Sequence, residues 1–216
     1  MDKRDFARSI KEYLGLNDFK VVGVNGGAVS LVRENEEIQI SYRKYPGIYV
    51  FRDTNLCFKT FNEVENILKK YYKKYKIELQ NYTIYHSSRR FEKIGEIDIA
   101  SPEDIEKVLP MLRTMVYEDI LPFFERYNSL VEVHKQLTSF GNDFDQINKF
   151  LFQPQPIRRM IIKRLFNDSD WNEYAQNLTN HILIKVKQDP APEYELNAKI
   201  LPDLYEELKL TQPLNV

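Results

Sequence analysis

Residues 96–137 read EIDIASPEDIEKVLPMLRTMVYEDILPFFERYNSLVEVHKQL. This stretch opens with the alternating pattern of a β-strand and then passes through Ser101, a good helix N-cap, and Pro102, which suits the first helical position. An apolar stripe at helical spacing follows, formed by Ile105, Val108, Leu109, Leu112, Val116 and Ile120. The spacing predicts a long amphipathic helix that bends at Pro110 and again at Pro122. The chain therefore changes from strands to helices near residue 100.

Upstream of this stretch, turn residues at short intervals separate runs that have the composition of strands. A helix that ends near Gly15 comes first, and the strand-like runs that follow are 19–24, 28–33, 37–45, 48–52 and 56–60. The predicted turns include Asn25-Gly26-Gly27, Pro46-Gly47 and Asp53-Thr54-Asn55. Short turns join antiparallel neighbours, so the pattern predicts an antiparallel sheet. A helical stripe and two more strands follow, at 61–75, 81–86 and 91–99.

Downstream of residue 100 the period is helical almost throughout. Ser129 and Glu132 have the spacing of a capping box. Further helices are predicted at 143–152, 157–166, 170–187 and 193–209, the last interrupted at Pro202. The sequence thus predicts an α+β fold, in which an N-terminal antiparallel sheet with flanking helices continues into a helical C-terminal half. We expect residues 1–100 and 101–216 to pack as one structural unit, because no flexible linker separates them.

The composition is that of a soluble globular protein. The chain has 216 residues, of which 43% are hydrophobic and 29% are charged, and its net charge is −1. This charge balance argues against a strongly basic nucleic-acid-binding protein. The N-terminal residues are charged and no apolar run is long enough to span a bilayer. We therefore expect a cytoplasmic protein that does not bind membranes.

Sequence motifs for cofactors and metals are missing. The chain has no glycine-rich phosphate loop, no HExxH and no GxSxG, and Gly26-Gly27 lies in a predicted hairpin turn. Cys57 is the only cysteine, which excludes an intramolecular disulfide and a cysteine-rich zinc site. We expect no cofactor, no metal and an inert, buried thiol at this position.

A polar cluster at the end of a predicted strand is the best candidate for chemistry. His86, Ser88, Arg89 and Arg90 carry groups that can bind an anion, and an acid from the helical half would complete such a site. A solvated strand end is the structural alternative. If the cluster is functional, the protein is an enzyme of unrecognised type that acts on an anionic substrate.

Several other ionisable residues have a structural interpretation. His134 and His181 border buried helical stripes, where a satisfied structural histidine is expected more often than a general base or a metal ligand. Glu118 and Asp119 are neighbours on a helix and point about 100° apart, so we expect them on a solvated face.

The basic run KKYYKKYK at 69–76 suggests nucleic-acid binding. The residues that would contact phosphates are Lys69, Lys70, Lys73, Lys74, Arg89 and Arg90. On a helix, however, the tyrosines fall on the apolar stripe and the lysines on the opposite side, which indicates an ordinary helix with a cationic outer face. Nucleic-acid binding is therefore a weaker alternative.

The aromatic content favours a protein interface. The 14 tyrosines and 13 phenylalanines can fill a core, but aromatic side chains are also favoured at interfaces, where they bury a large area at small entropic cost. Tyr45, Tyr49 and Phe124 belong to two aromatic clusters and are the candidate contact residues. Because no catalytic motif is present, we expect a non-enzymatic protein that binds an unidentified protein partner.

One segment resembles a known family. The pattern I-D-x-x-S-x-E-D is present from Ile97 to Asp104, L-P-F-F-E-R-Y from Leu121 to Tyr127, and S-L-x-x-V from Ser129 to Val133. These motifs are similar to those of a family of bacterial cytosolic α+β proteins that has no established activity. The resemblance, clearest over 97–137, implies an interaction or immunity-like role, because some members look like partners encoded beside toxins or surface systems. It implies no catalytic residue.

Overall fold

The structure confirms the α+β fold. The computed structural model describes residues 3–23, 28–46, 48–88, 97–99 and 102–215. The strands are β1 Lys20–Gly23, β2 Ala28–Arg33, β3 Glu36–Tyr45, β4 Ile48–Lys59, β5 Ile84–Ser88 and β6 Ile97–Ile99. The helices are α1 Lys3–Tyr13, α2 Asn62–Lys74, α3 Pro102–Met115, α4 Leu121–Arg126, α5 Leu130–Phe140, α6 Phe144–Asn148, α7 Gln155–Leu165, α8 Trp171–Gln188 and α9 Pro192–Leu210. A π-helical turn, Val116–Ile120, joins α3 to α4.

The described strands form an antiparallel sheet in which β4 pairs with three other strands, β3, β5 and β6. β1, β2, β3 and β4 follow one another across the sheet. The last part of β4 pairs with β5, from Asn55 opposite Ser88 to Lys59 opposite Ile84. Its first part pairs with β6, where Tyr49 lies opposite Ile99. The length of β4 therefore allows two short strands to share one of its sides.

β4 continues through residues 53–55, so the turn predicted there is wrong. Asn55 is buried in the sheet opposite Ile40, and the register against β3 shifts between Ile40 and Tyr42. At this irregularity the Asn55 Oδ1 accepts a hydrogen bond of 3.2 Å from the Ser41 backbone amide. Asparagine is usually a turn residue. Here its side-chain oxygen accepts from the Ser41 backbone amide, which the β-bulge leaves without a partner on the neighbouring strand.

The chain divides into two compact units that are not continuous in sequence. The first consists of Met1–Thr60 and Ile84–Asn128, and the second of Phe61–Thr83 and Ser129–Val216. The sheet, α1, α3, the π-helical turn and α4 belong to the first unit, whereas α2 belongs to the second together with α5–α9. The change from strands to helices near residue 100 falls inside the first unit. The packing of residues 1–100 and 101–216 as one structural unit stays a prediction.

A buried lysine ties α4 to the sheet in the first unit. Lys59 Nζ donates to Glu36 Oε1 at 2.7 Å and to the Phe124 backbone carbonyl at 3.1 Å. The ammonium group also lies 5.8 Å from the centroid of the Phe124 ring. Because the charge is paired and hydrogen-bonded, its burial between sheet and helix is tolerated.

α7 is the central helix of the second unit, where it packs against α2, α5, α8 and α9. Its Arg158 forms a buried two-point ion pair with Glu65 of α2, with Nε to Oε1 at 2.8 Å and Nη2 to Oε2 at 2.7 Å. Thr83 Oγ1 donates to Glu65 at 2.8 Å, and the backbone carbonyls of Phe152 and Gln80 accept from Arg158 at 3.1 and 3.2 Å. These bonds hold the segment 61–83 to the C-terminal helices.

Two helix signals in the sequence do not hold in the structure. α9 continues through Pro202, where an interruption was predicted, because its buried face of Leu201, Leu204 and Leu208 continues on both sides of the proline. Ser129 occupies the N-cap position of α5, but its side chain makes no capping hydrogen bond. The predicted capping box is therefore absent at this helix start.

Candidate functional site

The structure places two of the four predicted anion-site residues beside a carboxylate. His86 and Ser88 lie on β5, whereas Arg89 and Arg90 fall outside the described residues. The Ser88 hydroxyl donates to Asp119 Oδ2 at 2.7 Å. Asp119 lies on the π-helical turn and is half-buried, so it is not on the solvated face that was expected. The charged group next to Ser88 is thus an anion, which repels a second anion.

His86 is half-buried and packs on an aromatic ring. Its ring stacks on Phe123, with centroids 5.4 Å apart and planes 21° from parallel. Burial lowers the pKa of His86, and the negative charge of Asp119 opposes that shift. The Cys57 thiol, opposite His86 in the strand register, has its pKa raised by burial and is therefore not an activated nucleophile. This geometry favours a structural contact that fixes the π-helical turn on the sheet.

The three aromatic candidates differ in their exposure. The Tyr45 side chain is 47% exposed at the end of β3. Phe124 is only 2% exposed, because it packs against Lys59 and Phe123, so it belongs to the core of the first unit. The side chain of Tyr49 lies outside the described part of the chain.

Half of the predicted phosphate-binding lysines on α2 are paired with α9. Lys70 Nζ lies 2.6 Å from Glu207 Oε1, and Lys74 Nζ lies 2.7 Å from Asp203 Oδ2. Tyr71, buried as its helical stripe predicts, donates its hydroxyl to Glu207 at 2.8 Å. These contacts direct one edge of the basic run toward the protein itself and weaken the nucleic-acid hypothesis.

A pocket of about 420 Å³ in the second unit collects charged side chains that the sequence does not place together. It lies between α5, α7 and the connections that follow these two helices. Its wall includes His134, Gly141, Arg159, Lys163, Asp168 and Asp170. The first and last of these residues, His134 and Asp170, are 36 positions apart in the sequence.

The end of α7 places the acidic residues of this pocket. Asn167 adopts a left-handed conformation with φ of 54°. Its amide donates to the Arg164 carbonyl at 3.0 Å, and the Asp168 amide donates to the Lys163 carbonyl at 2.9 Å. This is the Schellman arrangement that ends a helix, and asparagine is one of the residues that tolerate it. This helix end reverses the direction of the chain, so that Asp168 and Asp170 line the pocket.

His134 and Asp168 form a hydrogen-bonded pair. His134 Nε2 lies 2.8 Å from Asp168 Oδ1, and its ring lies flat on Phe166 with centroids 4.2 Å apart and planes 2° from parallel. An ionised carboxylate only accepts hydrogen bonds, so Nε2 carries the proton in this pair. Nδ1 is then the ring nitrogen that can accept a hydrogen bond.

Lys163 links both acids. Its Nζ donates to the two carboxylate oxygens of Asp170 at 2.7 and 2.9 Å and to Asp168 Oδ2 at 3.3 Å. The hydrogen bond from Lys163 lowers the pKa of Asp170, and the charge of Arg159 adds to this effect. Asp170 is therefore ionised at neutral pH.

Arg159 lies one helical turn before Lys163 and is only 5% exposed. Its Nη2 donates to the Gly141 carbonyl, and its guanidinium lies 5.2 Å from the centroid of the Tyr174 ring. Its Nη1 is buried and has no hydrogen-bond acceptor among the described residues. A buried charged donor without an acceptor is energetically costly and uncommon, which distinguishes this nitrogen from the others of the two buried arginines.

Sequence reasoning missed this site because its parts are far apart along the chain. His134 was interpreted as structural, and the partner that satisfies it, Asp168, follows a helix end that no motif marks. The signal that could have indicated the pocket is the run IRRMII at 157–162, in which two adjacent arginines interrupt an apolar segment. Both arginines are buried.

Comparisons of this chain with protein-family models, curated proteins and solved structures find no significant match. Within the described ranges, no helix has both the length and the apolar character that crossing a bilayer requires. The same residues contain no group of three or more His, Cys, Asp or Glu side chains that could hold a metal ion.

Proposed function

We propose that the second unit binds a small polar ligand that carries an anionic oxygen and a separate cationic group. Arg159 lines the pocket, and its buried Nη1 has no acceptor among the described residues; these two observations together carry the proposal. A carboxylate or similar oxygen placed there forms a hydrogen bond between two charged groups, which is stronger than one between neutral groups.

The balance of charge in the pocket argues for a ligand with both signs. Arg159 and Lys163 contribute two positive charges, and Asp168 and Asp170 contribute two negative charges, so these four groups sum to zero. A simple anion gains little long-range attraction from such a wall. The Asp170 side chain is 58% exposed, and each of its oxygens can accept more than the bond from Lys163. It is therefore available to a cationic group of the ligand.

The size of the pocket suits a compact ligand. Its volume of about 420 Å³ falls within the range of small-molecule sites, which is roughly 300–1,000 Å³. Glycylglycine has one carboxylate and one ammonium group and is small enough for this space. It is the probe that we choose, with acetate and methylammonium as probes that carry only one of the two groups.

The test is ligand-dependent stability. A probe at about ten times its Kd raises the free energy of unfolding by about 1.4 kcal/mol. We expect glycylglycine to stabilise the protein at concentrations where acetate and methylammonium do not. Arg159→Lys keeps the charge but removes Nη1, so its affinity for glycylglycine should fall by about tenfold or more. Arg113→Lys, on an exposed arginine of α3, is the matched control.

A second variant tests the contact to the cationic group of the ligand separately. Asp170→Asn should weaken glycylglycine binding without changing the weak response to acetate, because only the ammonium group is expected at Asp170. The proposal fails if Arg159→Lys binds glycylglycine as well as the wild type does. It also fails if none of the three probes stabilises the protein.

Protein binding, the function expected from the sequence, is a second proposal that Tyr45 supports through its exposure. A photoreactive amino acid at position 45 should crosslink one defined partner in a lysate of the source cells. The same group at Asn62, an exposed position at the start of α2, is the control. Equal crosslinking at both positions would show that Tyr45 is not a contact residue.

A further inference from the structure

The basic run of α2 contains two kinds of lysine. Lys70 and Lys74 are paired with α9. Lys69, Lys73 and Lys76 are exposed, and their side chains make no hydrogen bond or ion pair with any described residue. These three charges are therefore available to a partner from outside the described chain.

The three unpaired lysines border one groove. Its volume is about 350 Å³, and Tyr72, Ile77 and Leu79 contribute apolar surface to it. α2 ends in a Schellman arrangement, in which the Lys76 amide donates to the Lys73 carbonyl at 3.1 Å and the Ile77 amide donates to the Tyr72 carbonyl at 3.0 Å. The turn that results brings residues after the helix alongside its last turns.

The charge of the groove is positive even when its acidic residue is included. Three lysines and Glu78 give a net charge of three minus one, or +2, along the wall. Lys76 holds φ at 56°, a conformation in which glycine or asparagine is usually found. A lysine at this helix end therefore adds a positive charge where a neutral residue would have met the conformational demand better.

We propose that this groove binds an acidic segment of a protein partner that carries an apolar side chain between its carboxylates. Complementary charge would orient the segment along Lys69, Lys73 and Lys76. The apolar surface of the groove suits an aliphatic or aromatic side chain of such a segment. This proposal is independent of the ligand pocket beside Arg159.

The experiment uses the full chain and an array of immobilised peptides. The peptides range from strongly acidic to strongly basic, and each acidic peptide is present with and without leucine and phenylalanine. Binding is measured at about 50 mM salt, where charge–charge attraction is weakly screened. We expect signal from acidic peptides that contain apolar residues, and a clearly weaker signal from acidic peptides that lack them.

Two triple variants provide the comparison. Replacement of Lys69, Lys73 and Lys76 by glutamate should weaken binding of the best acidic peptide by at least about tenfold. The control replaces exposed lysines of the same unit by glutamate at Lys149, Lys187 and Lys199, which changes the net charge equally and should leave most of the binding intact.

Three outcomes would overturn the proposal. The first is equal loss of binding in both triple variants, since net charge and not the groove would then be responsible. The second is an absence of signal from every acidic peptide. The third is tighter binding of a single-stranded oligonucleotide than of the best peptide, with loss in the groove variant only, which would assign the lysines to nucleic acid.

Discussion

Arg158 and Arg159 are adjacent and buried, yet their guanidinium groups are used differently. Arg158 donates to both oxygens of Glu65 and to backbone carbonyls, whereas Arg159 donates to the Gly141 carbonyl and keeps one nitrogen without an acceptor. The first arginine therefore stabilises the fold, and the second is the one that we propose as a ligand contact. Composition alone cannot separate these roles, because both residues lie in the same apolar run.

The buried ion pair gives a prediction for stability. Glu65→Gln removes the negative partner and leaves the Arg158 charge buried, which should lower the free energy of unfolding by about 3–5 kcal/mol. The matched control is Lys70→Ala, also on α2, which breaks an exposed pair and should change stability by at most about 1 kcal/mol. Urea unfolding measures the free energy of unfolding of both variants. Similar losses for the two variants would contradict the assigned role of Arg158.

The half-buried ring of His86 gives a prediction for how the stability of the protein depends on pH. Its pKa is lowered from the ordinary value of 6.5 by burial, so between the lowered pKa and 6.5 the unfolded chain binds more protons than the folded chain. Stability should therefore decrease as the pH falls below 6.5, until the lowered pKa is passed.

The measurement is the free energy of unfolding at a series of pH values between 7.5 and about 5, above the range in which most carboxylates titrate. His86→Gln should remove this part of the pH dependence, whereas His181→Gln, on an exposed histidine, should retain it. An unchanged slope in His86→Gln would show that the histidine is not buried as described.

At the scale of single elements, the starts of α5 and α6 differ in their caps. Asp143 Oδ1 accepts from the Gln146 amide at 3.1 Å at the start of α6, whereas Ser129 makes no side-chain bond at the start of α5. Asp143→Ala should therefore lower the unfolding midpoint more than Ser129→Ala does. The reverse order would show that Ser129 caps its helix in solution.

How far an element could be predicted depended on whether its signal was local. β2 was predicted at 28–33 and is found there, because alternation and a flanking turn are local features. The turn at 53–55 failed because Asn55 satisfies a bulge on the neighbouring strand, which no local pattern records. The π-helical turn was not expected either. Its Asp119 is held by Ser88, 31 positions away in the sequence.

The candidate site was even harder to predict from local sequence signals. His134 was recognised as a helical histidine at the edge of a stripe, but its partner Asp168 is 34 positions away. The spacing of Arg159 and Lys163 on one helix face was visible in the sequence, although nothing local indicated that they meet an acidic loop. Burial and pairing across the fold decide which ionisable residues face a pocket.

On the scale of the whole molecule, two regions compete as the ligand site. One is the β5 cluster of His86 and Ser88 that the sequence suggested, and the other is the pocket beside Arg159 in the second unit. The two lie in different compact units and involve different residues, so a method that observes every backbone amide can distinguish them.

The most direct test of the central claim is therefore a two-dimensional ¹H–¹⁵N NMR titration of the whole chain with glycylglycine. We predict progressive shifts of the amides of Gly141, Asn142 and Ser169, and of neighbours in the pocket wall, which Arg159→Lys abolishes. Amides of β5 should not move. Shifts centred on His86 and Ser88, or no shifts at any concentration of the probe, would contradict the assignment of the pocket as a binding site.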